Sequence, residues 1–511
     1  MNWRWPTLLA WCGFLFFYGL SGPLYRTEAL RAIIGQSALE GHWLTPTLYG
    51  EPFLTKPPGV YAAIGLASWP IGHVTEVSAR LPSAIAATLT VLFAFSTLRR
   101  FVGERRAFAA AMLLPASILW LDKVPSAEID ILQLAWVSAA LLAFLRAVEG
   151  CDLAETEAQR GRPQPEGVSR RPRCASVSAV SNPWWVISLL CVTGGFLTKW
   201  TAPAFFYLAV VPFLLWRRQL RLLVSREHLV AATFATFLCA VWAELVSADV
   251  GWQTLADTVR QEAAQRFAPK ANGKPYPFGE SLAFPAIVLG ATLPWAIPAL
   301  YALHSRFLRR LNDRERLLVQ LLHCWAWPNL LFWSLPAQHH VRYVLPIAPA
   351  ITLLGVIVFG RWMGSRPRLA TVALISAILT WAVVKVGFVE VAVPERTAGR
   401  NARETGEQLA HLVPEGETLY LCRLKDEGVL FYYGRPAMRL TNFDWPCESA
   451  IYVLMLDSEW QSESPRGRCD YLAQLRDQQQ APIHLVRLYS PAERMNGCPL
   501  PNPPTSSPSA P

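Results

Sequence analysis

Charge is scarce in this chain. Asp, Glu, Lys and Arg make up 16% of its 511 residues, against 52% hydrophobic ones. That balance excludes a disordered polymer, which needs low hydrophobicity and high charge. No fixed period recurs along the chain, which excludes a solenoid. The ten Cys are scattered, and none falls in a CxxC or zinc-ligand spacing. Cys12, Cys191, Cys239 and Cys324 stand in apolar segments and read as small packing residues. The opening MNWRWPTLLAWCGFLFFYGL lacks a small-residue cleavage site, so a retained first helix is expected rather than a signal peptide.

What the chain has instead is apolar length. Trp occurs 21 times and Phe 24 times. Successive apolar runs reach the length that crosses about 30 Å of hydrocarbon at about 1.5 Å per residue. A polytopic α-helical membrane protein is expected. Its first helix runs from Thr7 to Leu24, and further spans fall at 79–98, 107–122, 130–147, 183–198, 201–216, 229–247, 281–303, 317–335, 343–360 and 369–388. The apolar piece from Gly59 to Trp69 is too short to cross and reads as interfacial or re-entrant.

The net charge of +10 raises the question of nucleic acid, but the placement of the charges answers it. Arginines cluster between apolar runs, as at Arg99-Arg100 and Arg309-Arg310, where they orient a membrane protein. With the Gly59 segment not spanning, every such cluster falls on one side. The expectation is about eleven transmembrane helices, N-terminus cytoplasmic and C-terminus outside. The transmembrane domain is expected over residues 1–388, with a first outer loop at 25–78, a disordered cytoplasmic insertion at 149–182 and an outer loop at 248–279. Residues 389–498 read as a small extracytoplasmic (periplasmic) α/β domain. Its helices are expected at Glu404–Val413 and Asp470–Gln478, and its strands at Glu417–Leu424, Ala450–Leu456 and Ile483–Leu488. Cys422, Cys447, Cys469 and Cys498 allow one or two disulfides there, in three full pairings. Residues 499–511 read as a disordered tail.

On this topology a set of polar groups gathers at the outer surface: Glu28, Lys56, Asp122, Lys123, Glu128, Asp130, Lys199, Arg260, Arg266, His339, His340 and Arg342. Each has a plain reading as a snorkelling, capping or solvated charge. The tandem His339-His340 lacks helical metal-ligand spacing. Lys199, in GGFLTKW between two apolar runs, requires an anionic partner, because a lone charge there is costly. As a set, several cations with a few carboxylates at a bilayer suit a lipid-borne phosphate. Lys and Arg neutralise a phosphate leaving group, and a carboxylate takes a proton from an incoming nucleophile.

The stretch GHWLTPTLYGEPFLTKPPGVYAAIGLASW, followed by SARLPSAIAA, then SAEIDILQ, GGFLTKW and HHVRYVLPIAPAITLL in order, resembles the polyprenyl-phosphate-sugar-dependent glycosyltransferases. That family (glycosyltransferase family 39 and relatives) includes the protein O-mannosyltransferases and the aminoarabinose transferases of lipid A. The resemblance implies a GT-C type transmembrane domain, a polyprenyl-phosphate sugar as donor, and inverting transfer to an acceptor hydroxyl. Lys56 matches the lysine of the family's KPP motif and Lys199 that of its LTK motif, both as ligands of the donor phosphate. Asp130 matches an acidic residue at the start of a span, and Arg342-Tyr343 a basic-aromatic pair. Arg26 and Thr27 stand where the family has Asp-Glu, which leaves Glu28 as the carboxylate for the base. Thr55 stands where aminoarabinose transferases have Glu.

The expected activity is therefore sugar transfer at the outer membrane face to a lipid, glycan or protein hydroxyl. Glu28 is the expected catalytic base. Lys56, Lys199, Arg266 and Arg342 are the expected phosphate ligands, with acidic support from Glu128 and Asp130. Neither metal nor cofactor is required, and the partners are the bilayer and the lipid-linked sugar, not nucleic acid. The alternatives are a transporter or flippase, for which intramembrane charges and repeats are wanting, and a non-catalytic relative that binds the lipid-linked sugar.

Overall fold

The structure, a computed structural model, describes residues 3–24, 27–124, 126–160, 183–267, 276–364, 366–399, 402–440, 450–463 and 469–489. The chain divides into two compact units. One comprises Met1–Leu20, Leu54–Ala63 and Arg80–Val389; the other comprises Ser21–Phe53, Ile64–Ala79 and Glu390–Pro511.

The first unit is helical. Among the described residues, five helices are long and apolar enough to cross a membrane: Glu76–Val102, Ile129–Gly150, Arg226–Val250, Val341–Trp362 and Pro367–Thr397. Shorter apolar helices accompany them at Gly59–Ser68, Pro183–Thr198, Ala202–Trp216 and Phe278–Ala291. The Gly59–Ser68 helix has 10 residues, about 15 Å at helical rise and well short of a bilayer. The core is a continuous apolar cluster in which Phe144, Trp185, Phe205, Phe206, Phe213 and Trp325 are almost fully buried. Two helices behave differently within it. The span windows in Ile129–Gly150 and Val341–Trp362 are each 78% buried, whereas that in Pro367–Thr397 is 6% buried and presents its surface outward.

Several expected spans are interrupted. The stretch 107–122 is two helices, Glu104–Leu113 and Ile118–Lys123. Pro115 lies between them, and proline cannot donate the i→i−4 bond that would join them. The stretch 281–303 breaks in the same way around Pro294, into Phe278–Ala291 and Ala296–Tyr301. The first helix ends earlier than expected, at Phe17. The helix from Ile129 runs on to Arg160, so the expected insertion is helical at 149–160; residues 161–182 lie outside the described residues. The outer loop at 248–279 contains the helix Trp252–Phe267. Among the described residues, the expected spans at 107–122 and 281–303 are thus each built of two helices.

The second unit is built on strands. A two-stranded hairpin pairs β1 (Thr47–Leu48) with β2 (Glu51–Pro52). A five-stranded sheet comprises β3 (Leu419–Leu421), β4 (Ala437–Arg439), β5 (Ile451–Leu456), β6 (Cys469–Arg476) and β7 (Pro482–Leu488), in the order β4-β3-β5-β7-β6. β3 is parallel to both β4 and β5, while β7 is antiparallel to β5 and β6. Central β5 is an unbroken apolar run because both its faces are covered.

The residues 470–478, expected as a helix, are mostly strand β6. The apolar spacing of Tyr471, Leu472 and Leu475 fits either element, and an antiparallel partner decided. Asp477 accepts from the backbone N–H groups of Gln479 (2.8 Å) and Ala481 (2.7 Å), which closes a tight turn and lays β6 against β7. Helix Ala402–Leu412 precedes the sheet, close to its expected limits. Helix Glu427–Tyr433 is capped by Asp426, which accepts from Val429 N–H at 3.1 Å, and it ends at Gly434 in the left-handed region (φ 69°). Cys422 is buried and Cys469 half-buried, while Cys447, Cys498 and residues 499–511 lie outside the described residues.

Candidate functional site

Three helix ends of the first unit meet around the expected cations. Gly59 opens the short helix Gly59–Ser68 against the end of helix Pro183–Thr198. A Cβ at Gly59 would lie 2.7 Å from the Leu197 carbonyl oxygen and 2.9 Å from Thr198 Oγ1, so only glycine allows the approach. This contact brings Thr55-Lys56, just before the helix, beside Lys199-Trp200, just after the other. Trp200 Nε1 donates to the Thr55 carbonyl at 3.3 Å.

Lys199 is 3% exposed. Its Nζ lies 2.6 Å from Asp130 Oδ1, so the anionic partner that its surroundings require is Asp130. Both charges sit well on the helices that carry them. Lys199 follows the C-terminus of Pro183–Thr198, and Asp130 stands in the first turn of the helix from Ile129. These are the negative and positive ends of the respective helix dipoles. Nearby, Gln133 Nε2 donates to Thr201 Oγ1 at 2.8 Å.

Tyr343 joins Lys199 to Arg342. The Lys199 ammonium lies 5.0 Å from the Tyr343 ring centroid, and the Arg342 guanidinium carbon lies 5.5 Å from it. An aromatic face between two cations holds both by its quadrupole. Arg342 in turn lies 3.5 Å from Glu128 Oε1. The order Asp130–Lys199–Tyr343–Arg342–Glu128 is thus one connected cluster, drawn from three segments of the chain.

Lys56 has a partner that sequence reasoning missed. Its Nζ donates to the Thr55 carbonyl at 2.8 Å and forms a short ion pair with Glu262. Glu262 lies on helix Trp252–Phe267. The signal lies in the helical spacing of TLADTVRQEAAQRF, within the expected outer loop at 248–279. Lys56, Lys199 and Arg342 therefore each face a carboxylate, so the site is electrically balanced pair by pair rather than strongly cationic.

Other members of the polar set have local roles. Asp122 and Lys123 pair with each other at 2.8 Å. Exposed Arg260 pairs with Asp257 one turn away, at 3.4 Å. His339 Nε2 is 2.9 Å from the Ser334 carbonyl, and His340 lies 5.7 Å from the Tyr343 ring centroid. Arg266 belongs to the last turn of helix Trp252–Phe267, but its side chain lies outside the described residues.

Glu28 belongs to the second unit. It stands in the first turn of helix Thr27–Leu39, 5% exposed, on the face that also buries Ala32 and Gly35. Arg31, one turn on, is also buried, and beside Glu427 it offsets part of the burial that raises the pKa of that carboxyl.

The family model of the dolichyl-phosphate-mannose-protein mannosyltransferases matches residues 55–154, which carry Lys56, Glu128 and Asp130. An undecaprenyl phosphate-alpha-4-amino-4-deoxy-L-arabinose arabinosyl transferase of Pseudomonas paraeruginosa is 28% identical over 364 residues, covering 69% of this chain and 59% of the relative. The chain thus spans about three-fifths of that curated relative's length. In three dimensions the chain is similar to ArnT from Cupriavidus metallidurans bound to undecaprenyl phosphate. Their TM-score is 0.72 at 18% identity, over 95% of this chain and 97% of that one. It is also similar to the archaeal oligosaccharyltransferase AglB from Archaeoglobus fulgidus, with a TM-score of 0.52 at 13% identity over 96% of this chain and 75% of that one. The fold is that of the GT-C membrane glycosyltransferases, and the resemblance carried by the KPP, LTK and RY segments is to aminoarabinose-transferase-like members of that group.

Proposed function

We propose that the chain is an inverting membrane glycosyltransferase that moves a sugar from a polyprenyl phosphate to an acceptor hydroxyl at the outer membrane face. The observation that carries this reading is the cluster joining Lys56, Lys199 and Arg342 through Thr55, Trp200 and Tyr343. The donor phosphate would lie among these cations, with Arg266 near the end of the same helix as Glu262 as a further ligand. Glu128 and Asp130 hold Arg342 and Lys199 in place. Glu28 would take the acceptor proton as the hydroxyl attacks the anomeric carbon. The phosphate leaves as a dianion whose growing charge the lysines neutralise. The lysines supply this charge, so the reading invokes no metal or cofactor.

The names of the similar proteins support a lipid-phosphate donor, with undecaprenyl phosphate the first to try and an aminoarabinose the first sugar. On this reading helices Arg4–Phe17, Pro183–Thr198, Ala202–Trp216 and Asp313–Trp333, with the broken helices over 104–123 and 278–301, join the five long ones to make about eleven crossings of an inner membrane, with the N-terminus cytoplasmic. Residues 389–498 then form an outer α/β domain.

The test is transfer of labelled aminoarabinose from undecaprenyl phosphate to lipid A in proteoliposomes. Glu28→Gln is expected to lower kcat by about 100-fold or more, and Lys56→Ala to raise the donor KM. Full activity of both variants at equal expression sinks the assignment.

A further inference from the structure

The second unit includes two segments of the first polar loop, one near Leu24 and one near Glu76. Within the second unit one side chain holds both. Tyr432, at the end of helix Glu427–Tyr433, accepts from Leu24 N–H at 3.0 Å and donates to Glu76 Oε1 at 3.2 Å. The Glu76 carboxylate also pairs with Arg403, whose guanidinium carbon lies 5.1 Å from the Tyr432 ring centroid. Leu24 is 2% exposed and lies four residues before Glu28. Residues 21–53 of the loop belong to the same unit. Ile33, Leu48 and Tyr49 join one apolar cluster with Leu409, Leu419, Val429 and Leu430. Tyr49 is also anchored through its backbone, because its carbonyl accepts from Arg439 N–H at 3.2 Å.

From this we infer that Tyr432 is a positioning residue for the base: it fixes the start of helix Thr27–Leu39 by tying Leu24 to Glu76. This rests on the reading of Glu28 as base. Glu28 is in the first turn of that helix, so its carboxylate direction follows the helix start. A hydroxyl that both accepts and donates sets the spacing of the two loop ends in a way that ring packing alone does not. Arg403 orients Glu76, which accepts the hydrogen bond that this hydroxyl donates. A base displaced by about an ångström loses rate without any change in donor binding.

The experiment uses the full chain in proteoliposomes, with aminoarabinosyl undecaprenyl phosphate as donor and undecaprenyl phosphate as binding probe. Tyr432→Phe keeps the ring and removes both hydrogen bonds. It is expected to lower kcat by about tenfold and to leave donor KM and undecaprenyl phosphate affinity within about twofold. Amide hydrogen exchange should rise in 27–39 and stay unchanged in 451–456. The exchanged pair Glu76→Arg with Arg403→Glu should show lower kcat than wild type but higher than Glu76→Arg alone. Unchanged exchange in 27–39 overturns the clamp. Wild-type kcat in Tyr432→Phe, while Glu28→Gln is inactive, overturns the positioning role and leaves the base assignment standing. Full activity in Glu28→Gln overturns both.

Discussion

Two lysines with the same proposed task stand in different surroundings. Lys199 and Asp130 are buried, with side chains 4% and 5% exposed, and both sit on the ends of core helices. Lys56 and Glu262 are 16% and 20% exposed, and Glu262 comes from a helix inserted between two spans. Burial makes each member of the first pair depend on the other, since removing one charge alone is costly. The second pair is nearer to solvent, where an ion pair contributes little and can be exchanged for another anion. The first lysine is built into the scaffold; the second is held ready by a carboxylate in the position a phosphate would take.

This contrast makes measurable claims. The largest effect is expected at the buried pair. Lys199→Met removes the cation paired with buried Asp130, at about 3–5 kcal/mol, and should lower the melting temperature of the detergent-solubilised chain sharply. Lys199→Met with Asp130→Leu should recover most of that stability but none of the transfer activity. A double variant as unstable as the single one breaks the distinction.

A smaller effect is expected at Lys56. Glu262→Gln keeps the shape and removes the competing charge, so undecaprenyl phosphate should bind about three- to tenfold more tightly, equivalent to about 1 kcal/mol. Titration of the purified variant against wild type checks this. Weaker binding would mean that Glu262 orients Lys56 for the phosphate rather than competing with it.

The smallest effect concerns carboxylates for which burial outweighs the groups that lower their pKa. Burial raises the pKa of Asp426, against the pull of backbone N–H donors from Gln478 and Val429. Burial also raises that of Glu427. A carboxyl with a raised folded pKa binds its proton more tightly in the folded state. Its stabilising contribution is complete below the unfolded value of about 4 and is lost as pH rises through the folded value. Asp426→Asn should therefore flatten the loss of stability of the sheet-bearing unit between acid and neutral pH, as followed by denaturant unfolding.

Much of the site was legible because its chemistry is local. Lys199 between two apolar runs announced a buried charge, and the KPP and RY segments carry their own resemblance. The requirement for an anion near Lys199 followed from solvation alone; that Asp130 answers it depends on how two helices pack. Glu262 was missed because a charge on an amphipathic helix is ordinarily solvated, and only tertiary packing sets it against Lys56. Strand β6 was misread because Tyr471, Leu472 and Leu475 suit two periods, and the choice depended on a partner strand.

The apolar run lengths and the absence of repeats decided by themselves that this is a helical membrane chain, because hydrophobic length and backbone hydrogen bonding leave few alternatives in a bilayer. Tertiary structure alone decided which carboxylate meets which cation. It also decided that the helix bearing Glu28 shares a core with a sheet nearly four hundred residues later in the chain. Such pairings depend on contacts between distant segments, and no local period or propensity encodes them.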